Sequence, residues 1–163
     1  MFQYFKFYIF DIYFKKWDKV LYIDSGMHIY NPIKRLFDIS TEDVLYAHSD
    51  SYPEYTQKLD SQFAKNNSIY DNLQNEYDLT INNYFQSTML YFDTHIIKEN
   101  MVKELIDLLN TYPISNGDQA IMNLYFIDTW KPMPIKDSTG FFYDFMEREN
   151  YKPTDYIMLK YPK

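Results

Sequence analysis

The run Lys19-Val-Leu-Tyr-Ile-Asp24 constrains this chain most. It is short, apolar, flanked by charge and stopped by Ser25-Gly26, which suits a strand buried on both faces. Such a strand belongs to a sheet covered by helices, and the rest of the chain supplies candidates for both. Val44-Leu-Tyr-Ala47, the continuous apolar and aromatic run Tyr84 to Phe92, and Tyr156-Ile-Met-Leu159 read as further strands. Pro32 holds Asn31 extended, after which Ile33, Leu36 and Phe37 recur at helical spacing. The clearest helical period runs from Ile96 through Met101, Leu105 and Leu109, with Thr94 placed to cap it. Asp118, after the turn Asn116-Gly117, can cap a second helix with Ile121, Met122, Leu124 and Tyr125 on its apolar face. Asp50 to Asp78 is polar and reads as a loop or insertion, and Trp130 opens a Pro-rich extended segment. Strands alternating with helices predict one α/β domain over residues 1–163, with a mainly parallel sheet flanked by helices.

Composition narrows the function. Sixteen Lys+Arg against 23 Asp+Glu leave a net charge of −7 over 163 residues, so a phosphate backbone, which is bound through clustered Lys and Arg, is excluded as the general partner. Eighteen Tyr and 13 Phe exclude disorder, because disordered segments lack the apolar area that offsets the entropy of ordering. Zero cysteines remove thiolate nucleophiles, Cys-based zinc sites and disulfides together. The opening FQYFKFYIFDIYF is interrupted by Lys6 and Asp11 and is too short to cross roughly 30 Å of hydrocarbon, so it reads as a buried amphipathic helix. With no transmembrane segment and no signal, the chain reads as cytoplasmic, and Asn66 in its Asn-x-Ser sequence as unmodified.

In open α/β sheets ligands sit beyond the carboxyl ends of the strands, where Asp24 falls. There it can bind a metal, a ribose or a sugar hydroxyl, or it can simply form the Asp-Ser-Gly turn. The segment KVLYIDSGMHIYNPIKRLFDI resembles the central segment of family 8 glycosyltransferases, whose strand ends in Asp-x-Asp and is followed by Pro and Leu-Phe. Tyr84-Phe-Gln-Ser-Thr-Met-Leu-Tyr-Phe92 resembles that family's Phe-Asn-Ser-Gly strand, and Asn116-Gly-Asp-Gln-Ala-Ile-Met-Asn123 resembles its Asp-Gln-x-x-x-Asn signature. The three motifs stand in the family's order across most of the chain.

The resemblance implies a GT-A-like nucleotide-sugar transferase domain, amino-terminally shortened. It implies Asp118 and Gln119 as catalytic residues at the sugar, and Asp24, Ser25, Gln86 and Ser87 as donor or sugar contacts. Lys6 matches the basic residue that the family carries upstream to meet the diphosphate, and Lys160 stands where a late lysine reaches the leaving diphosphate; the residues by themselves read first as solvated lysines. Three departures accompany the matches. Gly26 replaces the second carboxylate of Asp-x-Asp, so Asp24 alone predicts weak Mn²⁺ or Mg²⁺ binding, since such cations need several oxygen ligands. His28 reads as a packed or surface histidine rather than a ligand. Gln86-Ser87-Thr88 replaces Asn-Ser-Gly, making a short loop bulkier. Finally, the family's nucleotide-binding strands precede the Asp-x-Asp strand, whereas here only one helix does, so that half is missing, encoded elsewhere or replaced, and a partner chain is one way to supply it.

The expected function is transfer of a hexose from a nucleotide sugar, UDP-linked, to a glycan or protein hydroxyl acceptor with retention. Two alternatives stay open: a degenerate transferase domain that binds glycans or a partner without catalysis, and an acidic interaction module unrelated to sugars.

Overall fold

The computed structural model describes residues 2–52, 54–65, 68–133 and 152–160. Asn66 and the Pro-rich stretch beyond 133 lie outside the described residues. Among the described residues, strands and α-helices joined by 3-10 turns follow in the order β1 (Lys19–Ile23), β2 (Met27–Ile29), β3 (Leu45–Ser49), α1 (Ser68–Glu76), β4 (Phe85–Asp93), α2 (Met101–Thr111), α3 (Gly117–Tyr125), β5 (Trp130–Pro132) and β6 (Met158–Lys160). The main sheet has the order β1-β4-β3-β5, and β2 pairs with β6 in a separate two-stranded ribbon.

The nine residues of β4 are apolar or uncharged up to Asp93, and all but that last one are buried. That composition places β4 centrally, between β1 and β3. Strand alternation then divides its side chains between two cores. Leu90 and Phe92 pack with Phe7, Phe10, Leu105 and Ile121 under the helices. Met89 and Tyr91 face Leu36, Met133, Ile157 and Met158 on the other side. A third cluster, including Leu59, Leu73, Tyr84 and Tyr112, ties α1 to the rest.

Several sequence expectations are corrected here. Among the described residues the sheet is not mainly parallel: β4 runs antiparallel to both β1 and β3, and the β3–β5 pair alone is parallel. β4 enters between two strands that precede it in the chain and runs against both. β1 is half-buried along its length because it is an edge strand of the sheet. Thr94 does not cap α2, which begins at Met101; its hydroxyl donates to Trp17 O at 2.6 Å, fastening the end of β4 to the entry of β1. The polar stretch after Asp50 contains α1 and a 3-10 turn, Leu59–Gln62, whose Leu59 is buried.

The opening segment is helical but of 3-10 type, Phe2–Phe10, and it is only half covered. Three residues per turn eclipse side chains three apart. Phe7 and Phe10 therefore share the core face with Tyr4, Phe5 and Tyr8 face outward at 61% and 49% exposure, and Lys6 and Ile9 share the third face.

A candidate donor site at the end of the first strand

That third face closes one side of a cleft of about 690 Å³, lined on its other sides by Tyr22, Asp24, Ser87, Asp118, Gln119 and Lys160 among others. Local structure explains each position. Asp24 follows the last residue of β1 and is held there by its N–H donating to Thr88 O at 2.8 Å. Between Ala47 and His48 of β3 the pairing partner jumps from Leu90 to Gln86, so Ser87 to Met89 have no partner on β3. Such irregularities re-aim side chains, and here Ser87 and Thr88 reach the cleft wall. Asn123 of α3 grips the start of β4 with both ends of its amide, accepting from Phe85 N at 2.8 Å and donating to Phe85 O at 2.7 Å. One turn earlier, Gln119 Oε1 accepts from Ser87 N at 3.2 Å. These bonds bring the first turn of α3 against the unpaired part of β4.

The Lys6 ammonium lies at the centre. It is 2.9 Å from Asp118 Oδ2 and 3.4 Å from Asp24 Oδ1, and it donates to both Ser87 O and Ser87 Oγ at 3.0 Å. Ser87 Oγ passes its own hydrogen to Asp118 Oδ2 at 2.9 Å. Asp118 is therefore not the cap of α3; its carboxylate turns to Ser87 and Lys6 instead of back to its own helix. Asp24 Oδ1 also accepts from the Tyr22 hydroxyl at 2.7 Å, and Asp24 Oδ2 stands 3.6 Å from Lys160 Nζ. Burial and the Asp24 carboxylate both push the Tyr22 hydroxyl well above the usual phenol range, so it remains a donor. Gln119 Nε2 donates to Asp50 Oδ2 at 3.0 Å and to Gln62 Oε1 at 3.1 Å, and burial raises the Asp50 carboxyl above its ordinary value.

Of the residues singled out from the sequence, Lys6, Asp24, Ser25, Ser87, Asp118, Gln119 and Lys160 line this one cleft. Gln86 does not. It is 5% exposed, pairs with His48, and its amide oxygen is taken up by Thr88 Oγ1 at 2.6 Å, which keeps it behind the cleft wall. Gln86-Ser87-Thr88 is accordingly part of a strand, not a loop. His28 lies exposed on β2, in keeping with a surface histidine. Sequence reasoning missed Tyr22 and Asp50. Each carried a signal: Tyr22 is two residues before Asp24 on a strand, hence on its side, and Asp50 follows the end of β3 as Asp24 follows β1.

The donor set fits a divalent cation poorly. No group of three His, Cys, Asp or Glu able to hold a metal occurs among the described residues, Gly26 offers no ligand, and both oxygens of Asp24 already face cations or a hydroxyl donor. Hard cations of this kind take about six oxygen ligands.

The family model of glycosyl transferase family 8 matches residues 1–157. The chain belongs to glycosyl transferase family 8. Solved structures share the fold. The bifunctional glycosyltransferase WbbM superposes with a TM-score of 0.71 at 18% identity, covering 99% of this chain and 31% of that one. GlyE of Streptococcus pneumoniae gives 0.61 at 19%, covering 97% and 37%. The galactosyltransferase LgtC, solved with donor and acceptor sugar analogues, gives 0.63 at 18%, covering 98% and 58%. This family 8 domain thus has a GT-A-like α/β fold and spans from about a third to just over half the length of those structures. No curated protein matches it. No helix among its described residues is long and apolar enough to cross a membrane.

Proposed function

We propose that this domain transfers a hexose from a UDP-linked donor to a hydroxyl of a glycan or protein acceptor, with retention at the anomeric carbon. The observation that carries the reading is the juxtaposition of Lys6, Asp24, Ser87 and Asp118 in one cleft beyond the end of β1, with Lys6 in contact with the other three and Ser87 hydrogen-bonded to Asp118. In this reaction the bond between C1 and the diphosphate oxygen breaks as the acceptor oxygen bonds to C1. The acceptor proton leaves with the departing phosphate oxygen. The protein's part is to orient the two partners and to stabilise the charge that develops on the leaving group.

Asp118 is the residue for the donor sugar. Its carboxylate is 7% exposed and fixed by Ser87 and Lys6, so it can accept hydrogen bonds from hexose hydroxyls without reorganising. Gln119 has its carbonyl on Ser87 N and its NH₂ on Asp50 and Gln62, which suits it to hold the strand and the helix together at the sugar. A second reading, a glycan-binding domain without catalysis, is favoured by the same saturation: the two carboxylates are paired within the protein, and Gly26 removes the other family acid. Incubation with UDP-hexoses separates the two. Release of UDP that disappears in Asp118→Asn supports transfer, whereas a folded protein that binds glycans and releases none supports the second reading.

A further inference from the structure

We infer that the diphosphate of the donor is held without a divalent metal, by the ammonium group of Lys160, beside a Lys6 that keeps the two carboxylates in place. This metal-free site rests on the nucleotide-sugar reading above. Two carboxylates line the cleft, Asp24 and Asp118, and two lysines answer them. Lys6 lies between the two acids and is only 10% exposed, so it already occupies the ground between the carboxylates that a cation would need to share. Lys160 touches the outer oxygen of Asp24 at 3.6 Å and is 26% exposed. A metal arriving at Asp24 would have to displace both ammonium groups and the Tyr22 hydroxyl, and would gain one carboxylate in return.

A diphosphate faces the opposite balance. It brings the negative charge that lysines recognise, and Lys160 can exchange the long contact with Asp24 for a phosphate oxygen while Lys6 keeps Asp118 in place. The carboxylates then act as counter-ions that keep both ammonium groups in position at the cleft. Position 26 is where this arrangement departs from a metal clamp, and space is not the reason. A Cβ built on Gly26 meets no atom within 4 Å, so an acid would fit there.

The test is calorimetric titration of the full chain with UDP and with inorganic pyrophosphate, once with excess EDTA and once with Mn²⁺. The expected result is binding of comparable affinity in both, weakened about tenfold or more in Lys160→Met, the scale of one lost charge-assisted hydrogen bond. Gly26→Asp should fold normally and bind Mn²⁺ more tightly than the parent, making UDP binding metal-dependent. Binding of UDP to the parent only in the presence of Mn²⁺ would overturn the metal-free site while leaving the nucleotide-sugar reading intact. Binding of neither ligand under either condition would overturn both. Unchanged affinity in a folded Lys160→Met variant would also overturn it.

Discussion

Lys6 shows how a residue that composition treats as a surface charge becomes a structural centre. All three of its hydrogens are used on Ser87 and Asp118, with Asp24 slightly further away. Removing one partner of a buried ion pair leaves the other charge uncompensated, at a cost of about 3–5 kcal/mol. Lys6→Met should therefore lower the unfolding free energy by an amount in that range, and Lys6→Arg should recover part of it. Asp118→Asn is milder because the amide still accepts from Ser87. It should cost about 1–3 kcal/mol of stability but reduce UDP-hexose turnover by on the order of 10²-fold or more. Melting and turnover measured on one preparation check both numbers. Full turnover in Asp118→Asn would remove this carboxylate from the mechanism.

At the scale of elements, what was legible in the sequence follows from how local each signal is. The strand from Lys19 and the strand ending at Phe92 are visible because their runs are rich in apolar and aromatic residues and carry no charge inside, and Asp118-Gln119 is visible because it opens a helix after Asn116-Gly117. Strand direction is not local. Nothing within the run from Tyr84 says that it will insert between β1 and β3 and run against both. The register jump that frees Ser87 and Thr88 is likewise a property of two strands together. The 3-10 winding of Phe2–Phe10 escaped because FQYFKFYIF is apolar or aromatic at nearly every position, so no one period stands out. Its consequence is testable. Phe10 is fully buried on Phe92 and Phe126, whereas Tyr8 points outward. Phe10→Ala should cost about 3–5 kcal/mol in urea unfolding, and Tyr8→Ala no more than about 0.5 kcal/mol. Equal costs would mean that the helix does not pack by its three-residue period.

For the whole molecule, pH acts through the buried groups His48 and Asp50. His48 on β3 is 3% exposed, and burial pushes its pKa down from 6.5 to about 3. The unfolded chain therefore binds a proton at His48 that the folded protein refuses, and stability falls as pH drops from 6.5 towards 3, by on the order of 1 kcal/mol per unit. Asp50 works the other way: burial raises its pKa, so its contribution weakens as pH rises above the unfolded value of 3.8. Replacing His48 with Gln should flatten the acid limb of the stability profile, measured by urea unfolding at several pH values. An unchanged limb would show that other groups drive it. The central claim is that the cleft beyond β1 and β4 receives the donor. A crystal structure of the protein soaked with a UDP-hexose tests it most directly. The account predicts the diphosphate within hydrogen-bond distance of Lys160 Nζ and the hexose against Asp118. Density for the donor in another hollow, such as the one lined by His95, Met101, Glu104 and Tyr125, would contradict it.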